Sequence, residues 1–195
     1  NLKIYQYEDK FKFSLDSILL AEFVELKDTI KTIVDFCTGN APVPLILSTK
    51  TDAKLFGFEL QQNIYKLAKL SVVENNLESQ INIINDDVRG YHKKVGVSKY
   101  DVITCNPPYF KHKEESNINK NDYLTLARHE ITLNLDELLD SVKKLLKDNG
   151  TFAIVHRTER LLDILEAFRK YGIEPKRIRF VYPKKNSTHS LAVLI

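Results

Sequence analysis

The chain is predicted to fold as an open α/β sheet of seven strands, mostly parallel, with helices on both faces and an antiparallel last strand. Three observations predict it. Short, nearly continuous apolar runs alternate with amphipathic helical stripes, as crossover connections to a doubly covered parallel sheet require. The last two runs lack a helix between them. The 195 residues, 43% hydrophobic and 28% charged, suit one soluble domain with a full core.

The runs in order are Thr32–Cys37, Lys54–Glu59, Ile81–Ile84, Tyr100–Cys105, Thr151–His156, Arg177–Tyr182 and Ser190–Ile195. A first helix is expected over Asp16–Leu26, with Asp16 near its cap. From Ile64, residues Leu67, Ala68, Ser71 and Val72 make a helical stripe. A second stripe runs from Leu135 to Leu146. It opens with Asn134 and Glu137 in capping-box spacing, and Gly150 is expected to stop it. A third spans Leu161–Phe168 and stops at Gly172. Pro183–Ser187 reads as a turn, which brings the last strand back antiparallel beside its predecessor. Residues 1–29 read as an N-terminal segment and helix, and 30–195 as the core of a single domain. Lys111–Asp122 has almost nothing to bury and reads as a mobile loop.

Composition narrows the function. No apolar run approaches the ~18 residues of a membrane span, and the N-terminus lacks a signal-peptide core, so a cytoplasmic protein is expected. Two cysteines, Cys37 and Cys105, fall in apolar runs and do not suggest a disulfide framework. No Cys/His spacing suggests zinc, and no metal is expected. The sequence contains no methionine, so the natural chain is expected to start elsewhere or to carry methionines missing here, and to run past Ile195. The net charge of +3 is mild, but Lys176, Arg177, Arg179, Lys184 and Lys185 fall close together. They read as a phosphate-contacting patch or as a solvated edge.

Chemistry-bearing residues recur at the ends of the first four strands, the carboxyl edge where open α/β sheets bind ligands. Asp35-Phe36-Cys37-Thr38-Gly39-Asn40-Ala41 ends the first strand. Its turn exposes backbone N–H groups, Gly39 allows close approach, and Asp35 can balance a cationic amino acid. A plain structural turn is the alternative. Glu59, ending the second strand, can take both hydroxyls of a ribose. After the third strand, Asp87 or its rival Asp86 can accept from an adenine amino group, or cap a helix.

Asn106-Pro107-Pro108-Tyr109, ending the fourth strand, decides between readings. Two prolines fix a rigid extended turn. An exocyclic aromatic amine is a poor nucleophile because its lone pair is delocalised. Two acceptors, the Asn106 side-chain oxygen and the Pro107 carbonyl, would draw the nitrogen toward tetrahedral geometry and stabilise its developing charge. Tyr109 offers a face on which an unstacked base can stack. A nicotinamide oxidoreductase leaves this motif unexplained and would need a three-glycine turn that is missing.

Asn-Pro-Pro-Tyr in this place resembles the signature of amino-group methyltransferases of the class I, Rossmann-like fold, which use S-adenosylmethionine. These act on adenine in DNA or RNA, on ribosomal guanine, or on protein glutamine. The chain is most similar to the bacterial tRNA (adenine-37) methyltransferases related to those acting on valine tRNA. Phe13-Ser14-Leu15-Asp16, Cys37-Thr38-Gly39-Asn40, Ala127-Arg128-His129-Glu130, Val155-His156-Arg157 and Glu174-Pro175-Lys176-Arg177-Ile178 carry the likeness, from about Phe13 to Pro183. The resemblance implies that Asp35, Gly39, Glu59 and Asp87 bind the cofactor, with Thr38, Asn40 and Asn106 beside it. It implies that Asn106–Tyr109 hold the target adenine. Arg157 and the basic residues from Lys176 to Lys185 would grip tRNA. The departure is Ala41, where that family usually has glycine. The function expected is methylation of the 6-amino group of a tRNA adenine by a monomer. The alternatives are methylation of a protein glutamine or an rRNA guanine, or a catalytically silent RNA-binding module.

Overall fold

A computed structural model describes residues 2–7, 14–107 and 133–195. The sheet has seven strands: β1 (Thr32–Phe36), β2 (Lys54–Phe58), β3 (Ile81–Ile84), β4 (Tyr100–Cys105), β5 (Leu146–Arg157), β6 (Arg179–Val181) and β7 (Ala192–Leu194). Their order is β3-β2-β1-β4-β5-β7-β6. Neighbours from β3 to β5 run parallel. β7 is antiparallel to both β5 and β6, so β6 again runs the same way as β5. The returning strand is therefore inserted between its predecessor and the parallel block.

The described helices are α1 (Leu15–Phe23), α2 (Pro42–Leu47), α3 (Gln62–Val73), α4 (His92–Val95), α5 (Leu135–Leu145) and α6 (Leu161–Tyr171). Two apolar layers sandwich the sheet. Leu20, Ala21, Val43, Leu47, Ala68 and Val72 pack from α1, α2 and α3 against Ile33, Leu55 and Val102. Leu138, Leu139, Val142, Ile164 and Phe168 pack from α5 and α6 against Val34, Phe36, Ile103 and Ile154. Alternation along β1 sends Ile33 to one layer and Val34 to the other, which is why its sequence is apolar throughout.

Local signals match local structure at several points. Asn134 Oδ1 accepts from Glu137 N at 2.9 Å while Glu137 Oε2 accepts from Asn134 N at 3.1 Å, completing the capping box. α6 ends at Gly172 in the left-handed region. Two expectations differ. α5 ends at Leu145 and Leu146 is already extended, so Gly150 does not stop the helix but lies within β5. The pairing of β5 with β4 shifts between Tyr100 and Val102, opposite Leu146 and Thr151, and the extra residues absorb the turn. In α1, Ser14 occupies the cap position and Asp16 lies inside the first turn. The expected loop Lys111–Asp122, and Phe13, Pro108, Tyr109, Arg128, His129 and Glu130, lie outside the described residues.

Candidate active site

The carboxyl tips of β3, β2, β1 and β4 line up in that order along one edge. Neighbouring strands lie ~4.8 Å apart, so the row spans roughly 14 Å. Lateral hydrogen bonds tie the tips together. Thr38 N donates to Phe58 O at 2.8 Å, and Glu59 N donates to Ile84 O at 3.1 Å. Asn85 Nδ2 donates to Glu59 O at 2.8 Å.

Asp35 is 3% exposed and sits opposite Thr104 across the β1–β4 pairing. That register lets Thr104 Oγ1 donate to Asp35 Oδ1 at 2.6 Å. Burial pushes the Asp35 carboxyl up to about 7. The Thr104 bond pulls against this, helped by the Thr38 hydroxyl, which lies close by without the geometry of a hydrogen bond, while the Glu59 charge adds to the rise. A buried carboxyl with so little support is a favourable seat for a cation.

Glu59 is also buried, and burial raises its pKa. Its two oxygens accept from Gly39 N at 3.0 Å and Gln61 N at 2.8 Å, which fixes the β1 turn to the β2 tip. Gly57 makes the turn possible. A Cβ there would lie 2.9 Å from Thr38 Cγ2. Gly39 has φ +55°, and a Cβ placed on it would meet nothing within 4 Å, so its backbone borders open space. Ala41 has φ 67°, which explains why glycine suits the position; a non-glycine residue there is strained by about 1 kcal/mol. Asn40 Nδ2 reaches Tyr5 O at 2.5 Å, so the N-terminal segment braces the turn.

Beyond β3, Asp86 Oδ2 pairs with Lys94 Nζ at 2.5 Å and Asp86 Oδ1 accepts from Asp87 N at 2.8 Å. Asp87 accepts from Arg89 N at 2.8 Å and from its Nε and Nη2 at 2.8 and 2.6 Å. Arg89 Nε also reaches Asp87 Oδ1 at 3.1 Å, so each oxygen of the carboxylate already takes two contacts from Arg89.

At the β4 tip, Asn106 is half-buried and Pro107 buried. Asn106 Nδ2 donates to Ser17 Oγ of α1 at 3.0 Å. That bond fixes the amino end of the amide against α1. Ser17 and Thr104 thus orient two groups of the site, and nothing local in the sequence singled them out.

The expected RNA contacts divide. Arg157 is exposed at the end of β5. His156 beside it is held near 4 by burial and by the Arg160 charge, and its Nδ1 accepts from Arg157 N, so it is neutral at physiological pH. Lys176 pairs with Glu174. Arg177 is bound to Glu25 and to Phe23 O, and its guanidinium lies 4.0 Å from the Phe23 ring centre, with Arg179 at 5.2 Å. These two arginines brace β6 against α1. Lys184 and Lys185 are exposed in the β6–β7 turn.

A family model described as N-6 DNA Methylase matches residues 17–170. The chain belongs to the N-6 DNA methylase family. A tRNA1(Val) (adenine(37)-N6)-methyltransferase of Bacteroides fragilis is 29% identical over 173 residues, covering 89% of this chain and 71% of the relative. The protein of the same description from Shewanella halifaxensis is 29% identical over 168 residues, covering 85% and 66%. Among solved structures, a predicted O-methyltransferase of Agrobacterium tumefaciens superposes with TM-score 0.66 at 16% identity, covering 92% of this chain and 78% of that one. TrmN from Thermus thermophilus superposes with TM-score 0.61 at 16% identity, covering 91% and 47%. The fold is that of the class I, Rossmann-like methyltransferases. The protein is an N-6 methylase-family enzyme, and TrmK of M. capricolum, which superposes with TM-score 0.59 at 16% identity, holds S-adenosyl-homocysteine, the product of the cofactor S-adenosylmethionine. The residues present fit that cofactor: the buried acids Asp35 and Glu59, the open backbone at Gly39, and the Thr38 hydroxyl, buried with no hydrogen-bond partner among the described residues.

Proposed function

We propose that the protein methylates the 6-amino group of adenine 37 in valine tRNA, the reaction printed in the names of its relatives. The observation that carries this reading is the Asn106 amide at the β4 tip, oriented by Ser17, in line with the Glu59–Gly39 corner.

In this reading the strand tips take the following roles. Asp87 would accept from the cofactor adenine, Glu59 would accept from the ribose hydroxyls, and Asp35 would balance the cationic amino-acid end, with Thr38, Gly39 and Asn40 in the turn beside it. S-adenosylmethionine, when bound, supplies an electrophilic methyl on a sulfonium. Asn106 Oδ1 and the Pro107 carbonyl accept from the two hydrogens of the target amine. They make its lone pair available and stabilise the positive charge that grows on nitrogen, an effect worth a few kcal/mol per well-placed group. Pro108 holds the corner rigid and Tyr109 stacks on the base; both are assigned from the sequence motif. The surplus proton leaves to solvent after transfer. No covalent intermediate and no metal takes part, and the enzyme works as a cytoplasmic monomer. No helix among the described residues is long and apolar enough to cross a membrane. An anticodon-loop adenine is already partly unstacked, which lowers the cost of drawing it out.

Asn106→Ala is expected to lower tRNA methylation by 100-fold or more while calorimetry still finds S-adenosylmethionine binding. Undiminished turnover in that variant would overturn the mechanism. Nucleoside mass spectrometry of tRNA from cells with and without the gene tests the substrate. Parallel assays on ribosomes and release factors separate it from guanine and glutamine methylation.

A further inference from the structure

The segment 177–182, centred on the edge strand β6 (Arg179–Val181), divides its side chains unevenly. Arg177, Arg179 and Val181 face α1, where Phe23, Glu25 and the apolar layer hold them. The alternate residues, Ile178, Phe180 and Tyr182, are 41%, 43% and 50% exposed. Phe180 pairs with Val193 across the β6–β7 ladder, and Val193 packs with Ile164 and Phe168. The stripe therefore lies on the α6 side of the sheet, past the helix that would cover it. Leu191, just before β7 and donating its N–H to Val181 O, is 49% exposed. An uncovered apolar stripe on an edge strand marks a docking surface.

Charge says what docks. Residues 175–195 contain Lys176, Arg177, Arg179, Lys184 and Lys185 and not one Asp or Glu. The segment's ion pairs among the described residues go to Glu174 and Glu25, from Lys176 and Arg177. Lys184 and Lys185 stay exposed and, with Tyr182, Ser187 and Thr188, line a shallow concavity. Aromatic rings flanked by cations, in a segment that has no acidic residue of its own, suit single-stranded nucleic acid. Bases stack on the rings while phosphates meet the lysines.

Position says which part. β6 runs the same way as β4, so Tyr182 lies at the carboxyl edge that carries Asn106. The path crosses β5 and β7, roughly 14 Å at ~4.8 Å per strand step, a span of a few nucleotides.

We propose that Phe180 and Tyr182, with Lys184 and Lys185, form a stacking platform for unpaired RNA nucleotides that flank the target adenine. The proposal rests on the tRNA reading for its substrate but not for its binding chemistry. Stacking tolerates any base, so a uridine oligonucleotide should use the same platform. The double variant Phe180→Ala/Tyr182→Ala of the full chain is expected to weaken binding of oligouridine and of an unmodified valine tRNA transcript about tenfold or more. KM for tRNA should rise with kcat and S-adenosylmethionine affinity unchanged. Tyr182→Phe should keep wild-type affinity, since the ring and not the hydroxyl does the stacking. Lys184→Ala/Lys185→Ala should reduce the salt slope of RNA binding by about 1.4, at ~0.7 per phosphate. If the double variant disturbs folding, Tyr182→Ala alone decides, because that ring is half exposed. Unchanged RNA affinity in the aromatic variants overturns the platform. So does a wild-type dimer, seen by sedimentation, that these variants convert to a monomer with RNA binding intact. A wild type that leaves valine tRNA unmethylated, while the aromatic variants still lose oligouridine, refutes the substrate reading and leaves the platform standing.

Discussion

Two aspartates on neighbouring strands show how the ends of the sheet differ. Asp101 opens β4 at the amino edge. Its carboxylate accepts from Lys31 N, Thr32 N and Thr32 Oγ1 at 3.0, 2.8 and 2.8 Å, and from Lys147 Nζ at 2.8 Å. Partial burial pushes its carboxyl up, but the Lys147, Lys31 and Thr32 bonds outweigh that and hold it at about 2. Asp35, at the carboxyl edge of β1, is more deeply buried, accepts from Thr104 Oγ1 with the Thr38 hydroxyl close by, and its carboxyl rises to about 7. One edge is wired for stability. The other holds a buried, destabilised carboxyl, the environment in which enzymes commonly keep their functional acids.

Asp35→Asn breaks the comparison most directly. S-adenosylmethionine affinity should fall at least 100-fold by calorimetry, since the cationic end loses its counter-charge. The same variant should be more stable than the wild type at pH 8, by about 1–3 kcal/mol in urea titration, because an unsupported buried charge is gone. The sign follows from the raised pKa. Protonated Asp35 supports the fold below about pH 4, and that support is lost as pH rises through about 7. A variant no more stable at pH 8 than at pH 5, relative to wild type, would mean that Asp35 is not destabilised.

The same carboxyl should link binding to protons. Affinity for S-adenosylmethionine is expected to climb up to tenfold per pH unit below about 7 and to level off above it, as Asp35 ionises. Calorimetry in buffers of different ionisation enthalpy should find a fraction of one proton released near pH 6.5. Thr104→Val sharpens this. It removes the opposing donor, so the plateau should move to higher pH.

Asp101→Ala tests the other edge. It should cost about 1–2 kcal/mol of stability at pH 7 with cofactor affinity unchanged. The lowered pKa gives the opposite sign: stability present above about pH 4 is lost as pH falls toward 2, and the variant lacks that acid-sensitive component. The smallest effect is expected at Ala41→Gly. Relief of the left-handed backbone, about 1 kcal/mol, nearly offsets the lost burial of one methyl, about 0.8 kcal/mol. A melting point close to that of the wild type would explain how this chain tolerates alanine there.

Much of this was legible in the chain itself. The strands declared themselves because a parallel sheet covered on both faces demands unbroken apolar runs, as in Ile33-Val34 and Val102-Ile103. The α5 cap was readable because Asn134 and Glu137 interact across one turn. The strand-end motifs were readable because a parallel sheet sends alternate-connection tips to one edge. Such signals are short-range or periodic, and a sequence displays them directly.

What the tertiary structure decided is long-range. Nothing local says that β7 slips between β5 and β6, that Arg177 pairs with Glu25 and Phe23, or that Phe180 in β6 and Tyr182 just after it are left exposed. Thr104 meets Asp35 across 69 residues and Ser17 meets Asn106 across 89. Partners at such separations are set by packing and register, so the sequence could offer candidate groups while only the folded sheet shows what each of them bonds to.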